Sequence, residues 1–429
     1  MNDVRFTPKL AILGIAFTLS AALPALATEV TMYYPVSAGG PIAKAYESLA
    51  ADFTREHPDI QIKPVFAGDQ VETLIKAQTA ANAGMAPAMA VLDSTNVFTL
   101  VDAGLIKPAS SFIRTPSDAA TIADIYPAFL SNARIGDTLW SVPFQRSTMI
   151  LYYNKNAFRD AGLDPEHAPA SWDELRAMAA KLTDRDAQGN TTRYAVEIPS
   201  SQPDVYWPFQ AMVTQAGGTL MSDDGKAVFF DSAASIKALS FWRELVTTGA
   251  MPSGITAWGT APTDFLNQKT AIIWHTTGNL VRLTSEASFP VGVAILPADT
   301  RRGTPVGGGN IFFFKGVPEE QSQAAWIFAQ WLISPERAAE FSIRTGYIAV
   351  RAAAYQTDAM KTYIAQHPSA LVARDQLEFA VKALSLFDNA HVHKTLMDQL
   401  QSAIRGEATP AAALAKAQAT ATKLLQPFH

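Results

Sequence analysis

The sequence predicts an α/β protein built on mostly parallel sheets flanked by helices. Two observations carry this. Short β-type runs alternate with helix-period segments from Glu29 onward, and 48% of the 429 residues are apolar against 17% charged, enough to bury sizeable cores. At about 150 residues per domain the length implies two or three domains. The absence of cysteine leaves stability to burial, which suffices at this size. Low charge and the lack of a basic tract exclude nucleic-acid binding and extended disorder.

Taken in order, Glu29–Pro35 reads as a strand, and Ile42, Tyr46, Leu49 and Phe53 then recur as one helical stripe. Ile60–Phe66 alternates as a second strand, a helix follows from about Val71 to Asn82, and Ala88–Leu92 is a fully buried type of strand ending in Asp93-Ser94-Thr95. Ligands in such sheets sit beyond the carboxyl ends of the strands, which places Tyr34–Gly39, Gly68–Gln70 and Asp93–Asn96 on one rim. Further on, Thr138–Pro143, Met149–Tyr153, Val228–Phe230, Lys269–Trp274, Val291–Leu296 and Ile311–Phe314 read as strands, with Val291–Leu296 beside Lys269–Trp274. Helices are expected at Ser171–Lys181, with Ser171 as N-cap and Glu174 at the capping-box position, at Pro203–Gly217, at Ser232–Thr248, and throughout the chain after Glu319 except Arg344–Arg351.

Ahead of these elements Arg5 and Lys9 precede an apolar run from Leu10, and Ala25-Leu26-Ala27 is a small-residue site. That order predicts a signal peptide over residues 1–27, cleaved after Ala27. The apolar run is too short for a permanent anchor, and without cysteine no lipid can be attached at the cleavage site. Cleavage would leave 402 of the 429 residues and move the net charge from −5 to −6. The expected location is the periplasm.

Motifs in a fixed order resemble the extracellular solute-binding proteins (family 1) of ABC importers, and within them the glycerol-3-phosphate-binding subgroup. They are Phe53-Thr54-Arg55-Glu56-His57-Pro58, Ala86-Pro87-Ala88, Gly104-Leu105-Ile106-Lys107-Pro108, Pro143–Thr148, Leu151–Lys155, Ala161–Pro165, Pro169–Leu175, Gly307-Gly308 and Thr345-Gly346-Tyr347. The resemblance implies a two-lobed periplasmic binding protein fold (type II), each lobe a mostly parallel sheet flanked by helices, with the ligand in the interlobe cleft. The first lobe would take 28–140 plus about 300–346 and the second 141–299 plus 347–429, with crossovers near Trp140–Pro143, Leu296–Gly303 and Tyr347–Val350. It also implies hinge closure on a small-molecule ligand, delivery to an inner-membrane ABC permease and its ATPase, a monomer, and no enzymatic activity.

Position by position, the subgroup's ligand residues fall on Ser147, the Thr276-Thr277 pair, Gly307 or Gly308, and Tyr347. Its tyrosine after the second strand is Gln70, its glutamate after the third is Ser94 beside Asp93, and its late arginine is Ser385. Arg146 is then the nearest cation for a phosphate, since an arginine fork is the usual bidentate partner of that group; a structural salt bridge is the competing role. Aromatic residues at strand ends and loops, Tyr34, Trp207 and Trp258 among them, offer sugar-stacking faces, against core packing as the alternative. The resemblance favours a glycerol phosphate or glycerophosphodiester as the solute, with a sugar or polyol in the same role as the alternative and a secreted carbohydrate-active enzyme as the second alternative. No cofactor or metal is expected: the sequence has no P-loop, HExxH or GxSxG pattern, and His391 and His393 at i, i+2 point apart on a helix.

Overall fold

A computed structural model describes residue 1, residues 27–35 and residues 41–429. The expected leader, most of its cleavage site and residues 36–40 of the expected rim lie outside the described residues. Among those described, no helix is long and apolar enough to cross a membrane.

The strands in chain order are β1 (Thr28–Tyr34), β2 (Ile60–Phe66), β3 (Met89–Asp93), β4 (Ile106–Lys107), β5 (Arg134–Ile135), β6 (Thr138–Leu139), β7 (Ser141–Asn154), β8 (Asp184–Arg185), β9 (Thr191–Glu197), β10 (Thr270–Thr276), β11 (Val291–Ala294), β12 (Thr304–Phe314) and β13 (Ala380–Val381). All but the β5–β6 hairpin join one sheet of order β2-β1-β3-β12-β7-β10-β9-β8. β1, β2 and β3 pair in parallel as their intervening helices require. β12 and β7 then run antiparallel and carry the sheet from one half of the molecule to the other. The architecture is the two-lobed type II fold.

The strands differ from those expected at four places. The expected strands Thr138–Pro143 and Met149–Tyr153 divide differently, because β6 ends at Leu139 and β7 is continuous from Ser141 to Asn154 and buried throughout. β12 likewise begins at Thr304 rather than Ile311, so the glycine run is strand backbone. β11 pairs β7 and not β10. Val228–Phe230 forms only an isolated bridge, from Val228 to Met221.

Helix starts follow the local chemistry. Asp69 caps Gln70–Asn82 in a complete capping box with Glu72. Ser171 caps Trp172–Leu182, but the Glu174 carboxylate accepts from Ala170 N and not from Ser171 N. The region after Glu319 also departs from helix at β13 and in the segment up to Asp388.

Two apolar clusters form the core. The first joins β1–β3, β12 and their helices, and it continues along one face of β7 and β10 to the helices Thr260–Leu266 and Leu280–Glu286. The second holds the other face of β7 and β10, the helices Tyr206–Gln215 and Ala233–Thr247, and the terminal helices Asn389–Arg405 and Pro410–Leu425. Residues 348–383, expected with the second lobe, pack on the first core, and Leu384 re-enters the second.

Candidate functional site

A cavity of about 440 Å³ opens between the two cores. Its first wall is the end of β3 with the start of the helix Gln70–Asn82, presenting Asp69, Gln70, Asp93 and Thr95. Asp93 accepts through Oδ1 from both Thr95 N and Thr95 Oγ1 at 2.8 Å, which ties the turn and leaves Oδ2 without a hydrogen bond among the described residues. The opposite wall brings Asp204, Tyr206 and Trp207 from the start of the helix Tyr206–Gln215, together with Trp258, His275, Thr276 and Asn279. Gln145 and Ser147 of β7, Val306–Gly308 of β12 and Tyr347 complete the lining. The glycine at 307 is required by close approach: a Cβ there would lie 2.5 Å from Trp207 Cζ2.

Of the thirteen residues singled out from sequence, nine line this cavity: Gln70, Asp93, Ser147, Trp207, Trp258, Thr276, Gly307, Gly308 and Tyr347. Four do not. Tyr34 lies on the core face of β1 and stacks on Tyr46 at 4.6 Å. Ser94 is the buried first residue of the turn that aims Asp93 and Thr95 inward, and its hydroxyl has no partner among the described residues. Thr277 is buried behind Thr276, whose Oγ1 accepts from Gly278 N and so sets the turn.

Arg146 is the most consequential departure. Alternation along a strand sends Gln145 and Ser147 to one face and Arg146 to the other. Its guanidinium is fully buried, donates from Nη1 to Gly308 O at 3.0 Å and to Asn310 Oδ1 at 3.2 Å, and lies over the Phe129 ring. Burial draws its pKa down to about 10, with Asp93 working against that. The side chain is part of the junction of β7 and β12. Ser385 does not stand in for the missing arginine either; it is buried, and its hydroxyl donates to Thr95 O at 2.7 Å.

Asp69 falls in the rim segment Gly68–Gln70 expected from sequence, whereas Asp204, Gln145, Asn279 and His275 line the cavity without having been singled out. Gln145 shares a face with Ser147 only because the segment is part of the continuous strand β7, and Asp204 sits in no recognisable pattern. Burial, then Asp93 and Asp69, push the Asp204 carboxyl up to about 7, and burial raises Asp93 as well. Among the described lining residues the one arginine or lysine is Arg282, whose Nε already donates to Glu286 at 3.2 Å. Residues 36–40, adjacent in sequence, are Val, Ser, Ala, Gly and Gly and carry no charge. The cavity is therefore acidic and aromatic. Among the described residues no group of three or more His, Cys, Asp or Glu side chains is placed so that it could hold a metal ion.

The sequence model of the bacterial extracellular solute-binding proteins matches residues 48–368. The sn-glycerol-3-phosphate-binding periplasmic protein UgpB of Yersinia pseudotuberculosis is 29% identical across 97% of this chain and 96% of its own. UgpB of Salmonella typhimurium is 28% identical across 97% of both. Among solved structures, UgpB of Mycobacterium tuberculosis in complex with glycerophosphocholine superposes with a TM-score of 0.81 at 23% identity, over 94% of this chain and 99% of that one. The cyclic alpha-maltosyl-1,6-maltose binding protein of Arthrobacter globiformis reaches 0.79 at 24%, over 94% and 100%. These two likenesses bear on fold alone.

Proposed function

We propose, from the premise that this chain belongs to the bacterial extracellular solute-binding proteins, that it captures a neutral polyhydroxylated solute, a sugar or polyol, in the cavity beside Trp207 and Trp258. The protein would work in the periplasm, close its lobes on the solute and hand it to an ABC permease. Stacking on the two indoles would hold the apolar face of the ring, while Asp93, Asp204, Gln145 and Asn279 take its hydroxyls.

The observation that carries this reading is the charge of the lining. Asp69, Asp93 and Asp204 face the cavity, and Arg146 faces away from it. Unit charges 4 Å apart repel by about 4 kcal/mol at an effective dielectric of 20, so a phosphomonoester dianion would meet repulsion from these carboxylates, and among the described lining residues the one cation is Arg282, already paired through Nε with Glu286. The second reading is a glycerophosphodiester. It is favoured by relatives named for sn-glycerol 3-phosphate, since a diester carries less charge and a cationic head group would suit the carboxylates.

Calorimetry with maltose, other mono- and disaccharides, polyols, sn-glycerol 3-phosphate and glycerophosphocholine tests the choice. A neutral carbohydrate or polyol should bind tightest and be recovered unchanged. Tighter binding of sn-glycerol 3-phosphate than of every neutral compound would overturn the assignment.

A further inference from the structure

We propose that His275 is a positioning residue for the Trp258 ring: its imidazole, locked in one tautomer between Trp258 O and Asn279, fixes the indole as a platform in the cavity wall. The inference rests on the reading that Trp258 meets the solute, but the geometry stands without it. His275 is fully buried near the end of β10, on the face that supports the segment leading into the helix Thr260–Leu266. Its Nε2 lies 3.0 Å from Trp258 O and its Nδ1 2.7 Å from Asn279 Nδ2. A carbonyl only accepts, so Nε2 carries the proton. A neutral ring then leaves Nδ1 as an acceptor, which fixes the Asn279 amide with its NH₂ toward the histidine.

Above this clamp the indole of Trp258 packs against the imidazole at a tilt of 44° with centroids 4.1 Å apart, and Trp207 follows at 5.9 Å, tilted by 47°. Trp207 is held independently, its Nε1–H donating to Val306 O at 3.0 Å. Trp258 has no such anchor of its own among the described hydrogen bonds, so the histidine beneath it sets its place. Burial holds the His275 pKa down at about 4, and Arg282 adds to the shift. Of the other charged groups on neighbouring elements, Glu197 on β9 stands in register with Ile273, and Asp264 pairs with Lys269 at 3.2 Å. The clamp thus stays neutral at physiological pH, which suits a platform that must not move when pH changes.

The test is made on the solute-free protein, so that an error in the solute class cannot decide it. Subtracting the emission of Trp258→Phe from that of wild type isolates Trp258. In His275→Ala, acrylamide quenching of that component should rise at least about twofold, and His275→Gln, which keeps a donor for Trp258 O, should restore most of the protection. Asn279→Asp supplies a second, independent readout. A carboxylate against Nδ1 favours the imidazolium, and an imidazolium in contact quenches indole emission. The variant should therefore show a titration of the Trp258 component between pH 5 and 8, absent from wild type and from the Asn279→Asp, Trp258→Phe double variant. Should His275→Ala not fold, His275→Gln and Asn279→Asp still decide. Unchanged quenching in the His275 variants, or a flat pH profile in Asn279→Asp, would overturn the proposal.

Discussion

Burial and the neighbouring Asp93 and Asp69 hold the Asp204 carboxyl up at about 7, against about 3.9 in an unfolded chain. Between those values the folded protein keeps a proton that the unfolded chain has released. Stability then falls as pH rises through roughly 4 to 7 and levels off above it. Asp204→Asn, neutral at every pH, should be more stable than wild type at pH 8 and lose that advantage toward pH 4. Glu197 is raised to about 7 too, so the comparison must be variant against wild type across pH by thermal unfolding; parallel curves would mean Asp204 ionises like an exposed aspartate. Arg146 supplies the contrasting case. Replacing it with Met removes the donor to Gly308 O and Asn310 Oδ1, and leaving buried acceptors unpaired costs about 1–3 kcal/mol. Urea unfolding should register that loss, while solute affinity changes by less than about threefold. A tenfold affinity loss at unchanged stability would return Arg146 to the binding site. Side-chain identity was legible in this region and side-chain direction was not. The run Gln145-Arg146-Ser147-Thr148 is polar enough to read as a loop, and only its place in a buried strand reveals which members share a face.

Elements bounded by local chemistry were readable: Asp69 with Glu72, and Ser171, mark helix starts through their own hydrogen bonds. β7 and β12 were not, since their continuity is imposed by pairing between segments distant in sequence, and polar residues and glycines at their centres contradict strand propensity. The tertiary reason is visible in the spacing. Gly307 leaves room for Trp207 and Ser147, and Gly308 sits at φ +83° with its missing Cβ 2.0 Å from Gln145 O. The two glycines should respond differently to alanine. Gly308→Ala needs a left-handed conformation and a backbone shift, each costing on the order of 1–3 kcal/mol, and should lower Tm substantially. Gly307→Ala meets the Trp207 ring and Ser147 Oγ rather than backbone, so it should keep most of the stability and lose solute affinity about tenfold by displacing the ring. Calorimetry with thermal unfolding on both variants distinguishes the roles. Equal losses of stability would mean that Gly307 serves the strand junction and not the cavity.

At the scale of the molecule, the two-lobed fold was readable because many weak motifs keep one order along the chain, even though no single one specifies it. The joining of both halves into one sheet was hidden, because register between β3, β12 and β7 depends on contacts that leave no local pattern. That sheet shapes the expected motion. The cavity lies between the two cores, and the strands crossing beneath it carry a register shift between Gly309 and Asn310 opposite Phe144. A bulge of this kind bends and twists a strand locally, so rotation of one lobe on the other is easiest there. Saturation with solute should then narrow the cleft and reduce the radius of gyration, which for a compact chain of this length is roughly 22 Å. Small-angle scattering with and without the best ligand of the calorimetric panel measures it. The same ligand at 100 times its Kd should stabilise the native state by about 2.7 kcal/mol, which verifies occupancy in the same samples. A raised Tm with an unchanged scattering profile would mean that the solute enters a cleft already closed, and that the junction of β7 and β12 is a brace rather than a hinge.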